Sequence, residues 1–159
     1  MRRYLLPGLL VMALVLGLHT MTIASGVSDA MPVEQVEIVT AAGERHEFSA
    51  YLADTPETRY RGLMYVTRLG PEQGMLFDFE TPRAVHMWMK NTPLSLDMLF
   101  IDEHGVITRI ETHTRPFSTA IIASGSEVRG VLELNGGITQ KLGITAGDRV
   151  VKAGSETLF

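Results

Sequence analysis

The chain has 159 residues, a formal net charge of −4 and no cysteine. This length suits one domain, and the lack of thiols excludes disulfides, thiolate metal sites, a cysteine nucleophile and a lipid-modified N-terminal cysteine. The acidic balance gives no general attraction to nucleic acid, so no nucleic-acid partner is expected.

The first 24 residues differ from the rest. Arg2 and Arg3 precede an almost wholly apolar run from Leu5 to Leu18, and Thr22-Ile23-Ala24 puts small residues where a signal peptidase reads. This is the order of a secretory signal peptide. The run is about 14 residues, short of the roughly 20 that cross a bilayer as a helix. Residues 1–24 are therefore read as a cleaved signal, with Ser28-Asp29-Ala30 as a fallback cleavage site. The alternative is an uncleaved anchor, the one membrane contact expected. Arg2-Arg3-Tyr4-Leu5-Leu6 echoes a twin-arginine signal without its full flanking pattern. The expected localisation is periplasmic or secreted. Removing residues 1–24 takes away two arginines and no acid, leaving 12 basic against 18 acidic residues, a charge of −6.

Residues 25–33 are small and polar and read as a flexible leader, and residues 34–153 as a single β-rich domain. Val36 and Ile38 flank Glu37, and His46, Phe48, Ala50 and Leu52 alternate with Glu47, Ser49 and Tyr51. Joined by Ala41-Ala42-Gly43-Glu44, these runs predict a hairpin. Asp54-Thr55-Pro56-Glu57 predicts a short helix, with Asp54 or Thr55 as cap, Glu57 closing a capping box on Asp54, and a Glu57–Arg61 pair four residues apart. Strand-like runs follow at Met75–Phe79, Val85–Lys90, Leu94–Ile101, Val106–Thr112, Val128–Leu134 and Arg149–Lys152. Turn signals at Thr81-Pro82, Asn91-Thr92-Pro93 and Glu103-His104-Gly105 separate some of them. Asn135-Gly136-Gly137 opens a second short helix. Such spacing predicts a mainly β fold, an antiparallel sandwich or barrel of jelly-roll character with one or two short helices.

The segment Val85-His86-Met87-Trp88-Met89-Lys90 is the most unusual. As a strand it places Val85, Met87 and Met89 on one face and His86, Trp88 and Lys90 on the other. The second face reads first as structure, with Trp88 as a core anchor and Lys90 as a paired cation. It reads second as a pocket wall, with the indole stacking on a ring and Lys90 holding an anion. Asp97 lies in a strand that is otherwise almost wholly apolar, where an unpaired charge is costly. It is expected to pair with Lys90 or to accept hydrogen bonds from turn amides. Glu133 lies in a similar setting. Asp97 and Glu133 together are the one candidate pair for glycoside hydrolysis, provided they stand about 5 to 9.5 Å apart.

Other chemistries lack their patterns. There is no G-x-S-x-G elbow and no phosphate-cradling loop. His104 and His113 are not at zinc spacing, and Met64, Met75, Met87, Met89 and Met98 read as core fillers. No metal and no cofactor is expected.

Five blocks in order carry a resemblance: Arg61-Gly62-Leu63-Met64, Gly74-Met75-Leu76-Phe77, Trp88-Met89-Lys90-Asn91-Thr92, Leu96-Asp97-Met98-Leu99-Phe100-Ile101, and Leu132-Glu133-Leu134 before Gly137 and Gly147-Asp148. Over residues 45–152 the chain resembles the uncharacterised family known as domain of unknown function 192. Met87 departs from it, since an aromatic residue usually precedes the Trp there. The resemblance implies a compact β-sandwich or barrel with one or two short helices, often behind a bacterial signal peptide, and carries no activity. Its signature residues fall at Arg61, Trp88, Lys90, Asn91, Asp97 and Glu133. With His86, these are the candidate ligand-binding residues of an exported binding or accessory module for a sugar-like or carboxylated ligand. The rival readings are a hydrolase using Asp97 and Glu133, and a protein-interaction domain whose signature residues serve only the fold.

Overall fold

The structure, a computed structural model, describes residue 27 and residues 31–159, so the expected signal peptide lies outside the described residues. Alternation around Val36 and Ile38 and around Phe48 and Ala50 gives β1 (Val33–Val39) and β2 (Arg45–Ala53), paired antiparallel as a hairpin. Its turn closes on Gly43 at φ +83°, a left-handed position that glycine takes without strain. The next helix, α1 (Pro56–Arg61), is capped by Thr55. Its hydroxyl accepts from the Thr58 amide while the Thr58 hydroxyl accepts from the Thr55 amide. The box therefore uses Thr58, not the expected Glu57.

β3 (Gln73–Met87) runs through the expected turn at Thr81-Pro82. The pairing with β6 (Ile122–Asn135) slips between Asp78 and Arg83, where Glu80 adopts φ +68° and its amide donates to Asp78 Oδ1 at 2.7 Å. A bulge thus absorbs the proline that would otherwise break a strand. β4 (Leu96–Ile101), β5 (Ile107–Glu111) and β6 (Ile122–Asn135) follow, then a single helical turn α2 (Ile138–Lys141) and β7 (Arg149–Lys152).

The seven strands form one curled sheet in the order β5-β4-β6-β3-β2-β1-β7. Every pairing is antiparallel except that of β2 with β3. These two run parallel because the chain between Ala53 and Gln73 crosses over through α1 and a loop instead of turning back. The two edges of the sheet meet. Val106 bridges Arg149, and the Val150 amide donates to Gly105 O at 2.8 Å. A side chain at residue 105 would stand 2.5 Å from that region's Val150 carbonyl oxygen, and φ is +81°, so the seam requires glycine.

Curling divides the apolar residues into two layers. All seven strands point residues inward, among them Ile38, Phe48, Leu76, Leu99, Ile107, Leu132 and Val150. Leu158 joins them from beyond β7, so the interior is completed by a C-terminal tail that the strand pattern did not signal. The outer layer lies on β3, β6 and β4, where Met75, Phe77, Met98 and Val131 are covered by Leu63, Val66 and Leu69 from the crossover. β4 is buried at all six positions, which explains its apolar character on both faces. Val27 and Met31, in the expected leader, pack against this outer layer.

Candidate functional site

On the outer face the end of β3 and the following turn alternate as expected. Val85 and Met89 are buried, while His86 and Trp88 point outward. Trp88 is 39% exposed, so it is not the core anchor of the structural reading. With α1 it frames a cleft of about 280 Å³. Helix α1 contributes Arg59, Tyr60 and Arg61. β3 contributes Phe77, Phe79, Arg83 and His86, the turn contributes Trp88 and Lys90, and β6 contributes Glu133.

The cations of this cleft fall into two kinds. Arg59 is tied down, donating to the carbonyls of Asp54 and Asp78 and to Glu80. Arg61, Arg83 and Lys90 make no ion pair with any acid among the described residues. Arg83 lies 4.9 Å from the Phe79 ring centre, and Lys90 Nζ lies 5.4 Å from that of Trp88. Cations over aromatic faces are attracted by the ring quadrupole and keep their charge available. The expected Glu57–Arg61 pair does not form.

Among the described residues, Glu133 is the one acid that lines the cleft. It is 4% exposed, stands between Met75 and Met98 on the neighbouring strands, and has no hydrogen bond or ion pair among the described residues. Burial pushes its carboxyl up to about 8, so at neutral pH it is largely uncharged.

Asp97 is elsewhere. It pairs across the sheet with Leu134, whereas Glu133 pairs with Met98, so the two carboxyls leave β4 and β6 on opposite faces. The hydrolase pair expected from sequence therefore shares no sheet face, and the cleft that holds Glu133 is not lined by Asp97. Asp97 is fully buried and accepts from the amides of His113 (2.9 Å), Gly137 (2.9 Å) and Thr139 (3.0 Å) and from the Thr139 hydroxyl (2.6 Å). Of the two partners expected for it, turn amides are the ones found and Lys90 is not. Burial alone would raise its pKa. The Thr139 hydroxyl and the three amides outweigh that, holding it below the usual carboxylate range.

Asn91 supports the cleft without lining it. It holds the turn at φ +57°, a conformation asparagine tolerates better than most residues, and its carbonyl accepts the Tyr65 amide at 2.8 Å. Five of the seven candidate residues, Arg61, His86, Trp88, Lys90 and Glu133, therefore converge on one cleft. Sequence reasoning missed Arg59, Tyr60, Phe79 and Arg83. Arg83 could not be placed by alternation, because a second register slip between Ala84 and His86 puts it on the same wall as His86. Among the described residues no group of three or more His, Asp or Glu side chains converges as metal ligands would.

Fold and cleft together define a small β-barrel domain carrying a cation-rich, aromatic-walled pocket on its outer face. The DUF192 family model, described as an uncharacterized ACR, matches residues 37–152, and the chain belongs to that family. Two solved structures are similar. One, from Sinorhizobium meliloti 1021 and described as a candidate transcription regulator, is 46% identical with a TM-score of 0.78, covering 81% of this chain and all of its own. The other, a protein of unknown function from Novosphingobium aromaticivorans DSM 12444, is 31% identical with a TM-score of 0.74, covering 82% of this chain and 97% of its own. No functionally curated protein matches the chain.

Proposed function

We propose that this chain is an exported binding module whose outer cleft takes a small anionic ligand, sugar-like or carboxylated. The observation that carries the reading is the cluster of Arg61, Arg83 and Lys90, which make no ion pair among the described residues and line one cleft with Trp88 in a protein that is acidic overall. Leaving three cations unneutralised in one pocket costs mutual repulsion, which an anion would relieve. An aromatic face beside them suits the flat C–H side of a sugar or another ring. Export rests on the order of charge, apolar run and small residues in residues 1–24.

Trp88 is the chain's one tryptophan, so its fluorescence reports on this cleft directly. The test titrates the protein with sugar acids, sugar phosphates, simple carboxylates and duplex DNA, following Trp88 emission and thermal unfolding. An anionic ligand at a hundred times its dissociation constant should stabilise the fold by about 2.7 kcal/mol and raise the midpoint by roughly 2–8 °C. A response to DNA alone would favour the regulator description given to the Sinorhizobium relative. Silence toward every anion would end the binding reading.

A further inference from the structure

The Glu133 carboxyl lines the cleft, is 4% exposed and is left without a partner by the described residues. Buried polar groups in folded proteins are almost always satisfied. A carboxyl that borders the cleft with no partner among the described residues is open to a partner that arrives from outside. The charged and polar groups that line the cleft with it include Arg59, Tyr60 and Arg61 from α1, Arg83 and His86 from β3, and Lys90 from the turn. A ligand ammonium would have to enter past these cations, whereas an anionic ligand is drawn in by them.

Building on the binding reading above, we propose that Glu133 reads a pair of neighbouring hydroxyls on an anionic sugar. One hydroxyl donates to its carbonyl oxygen and the other accepts its proton. The sugar's carboxylate or phosphate lies at Arg61 and Lys90, and its ring rests on Trp88. A carboxylic acid offers a donor and an acceptor side by side, and a vicinal diol offers the matching pair. Arginine and lysine supply the planar fork and the point charge that suit a carboxylate or phosphate. Burial keeps the proton on Glu133 up to about pH 8, so the acid form is present before the ligand arrives. Binding then depends on that proton. Affinity should be nearly flat below about pH 7 and fall by up to about tenfold per pH unit above the Glu133 pKa.

The experiment follows Trp88 emission of the full chain with glucuronate and with glucose 6-phosphate, beside glucose, inorganic phosphate and citrate, across neutral and alkaline pH. The two anionic sugars should bind at least about tenfold more tightly than glucose or phosphate, since they alone engage both ends of the site. Glu133→Gln keeps the size and a neutral donor–acceptor pair, so it should retain most of the binding and lose the alkaline fall. Glu133→Leu should lose the binding, and His86→Gln should keep the fall. Affinity that rises with pH, or a Gln variant as inactive as the Leu variant, would show an ionised Glu133 and overturn the proposal. So would an alkaline fall that vanishes with His86→Gln. If phosphate and citrate bind as well as the sugars, the cleft is an anion site and only the sugar reading fails. If no probe binds, both readings fail.

Discussion

Two buried carboxyls on adjacent strands have opposite electrostatic fates. Asp97 keeps its charge because four donors converge on it. Its folded-state pKa lies below its unfolded value, so its contribution is present above the usual aspartate range and is lost as pH falls through the folded value. Asp97→Ala leaves those donors orphaned and should cost at least about 3 kcal/mol, read from urea unfolding. Lys90→Ala, which breaks no ion pair among the described residues, should stay within about 1 kcal/mol of the parent. Equal costs would restore the Lys90–Asp97 pairing considered from sequence. Glu133 shows the reverse sign. Its raised pKa means that the folded state holds a proton the unfolded state has released, so stability falls as pH rises from about 4.5 to about 8. Glu133→Gln should therefore be more stable than the parent at pH 8, by roughly 2–4 kcal/mol, and nearly equal to it at pH 4. Differential scanning calorimetry at the two pH values checks this.

Among the elements, α1 connects folding to the cleft. It spans only Pro56–Arg61, too short to persist alone, yet it brings Arg59 and Arg61 to the cleft wall. Its start depends on the reciprocal Thr55–Thr58 bonds. Thr55→Ala should cost about 1 kcal/mol and should also weaken ligand binding, a joint effect that a distant surface substitution would lack. The helix itself was legible from Thr55-Pro56, because a cap and an N1 proline are local signals. Its capping partner was not, since a threonine three residues on does the work usually assigned to glutamate. The alternation of side chains was similarly legible at Val85–Lys90, although β3 ends at Met87, and at Leu132–Leu134. It failed at Arg83, because a bulge is set by the partner strand and leaves little trace in the chain that carries it. The separation of Asp97 from Glu133 was hidden for a related reason, since their relative faces depend on the β4–β6 register.

For the molecule as a whole, alternation and turn spacing were enough to indicate a β barrel-like fold, while closure was not. The parallel β2–β3 pair and the Gly105–Val150 seam join segments far apart in sequence, and the Leu158 tail has no periodic signature. The seam is a point of fragility. Gly105→Ala forces a Cβ against the Val150 carbonyl at a left-handed backbone position and should cost at least about 2 kcal/mol. Hydrogen exchange should localise the damage. The Val150 and Ile107 amides, bonded to Gly105 and Asp148, should lose protection before the β3–β6 ladder does.

β6 carries two interleaved scripts. Leu132 and Leu134 belong to the barrel interior, while Val131 and Glu133 face the outer layer and its cleft. Substitutions at one parity can retune which molecule is held without disturbing how the barrel packs, and those at the other can repack the barrel without touching the cleft. Length allows no such freedom. Deleting a single residue from this strand would exchange the two scripts, setting a carboxyl inside the barrel and a leucine in the cleft. Within the family, divergence along β6 should therefore proceed by replacement, with insertions and deletions confined to the turns.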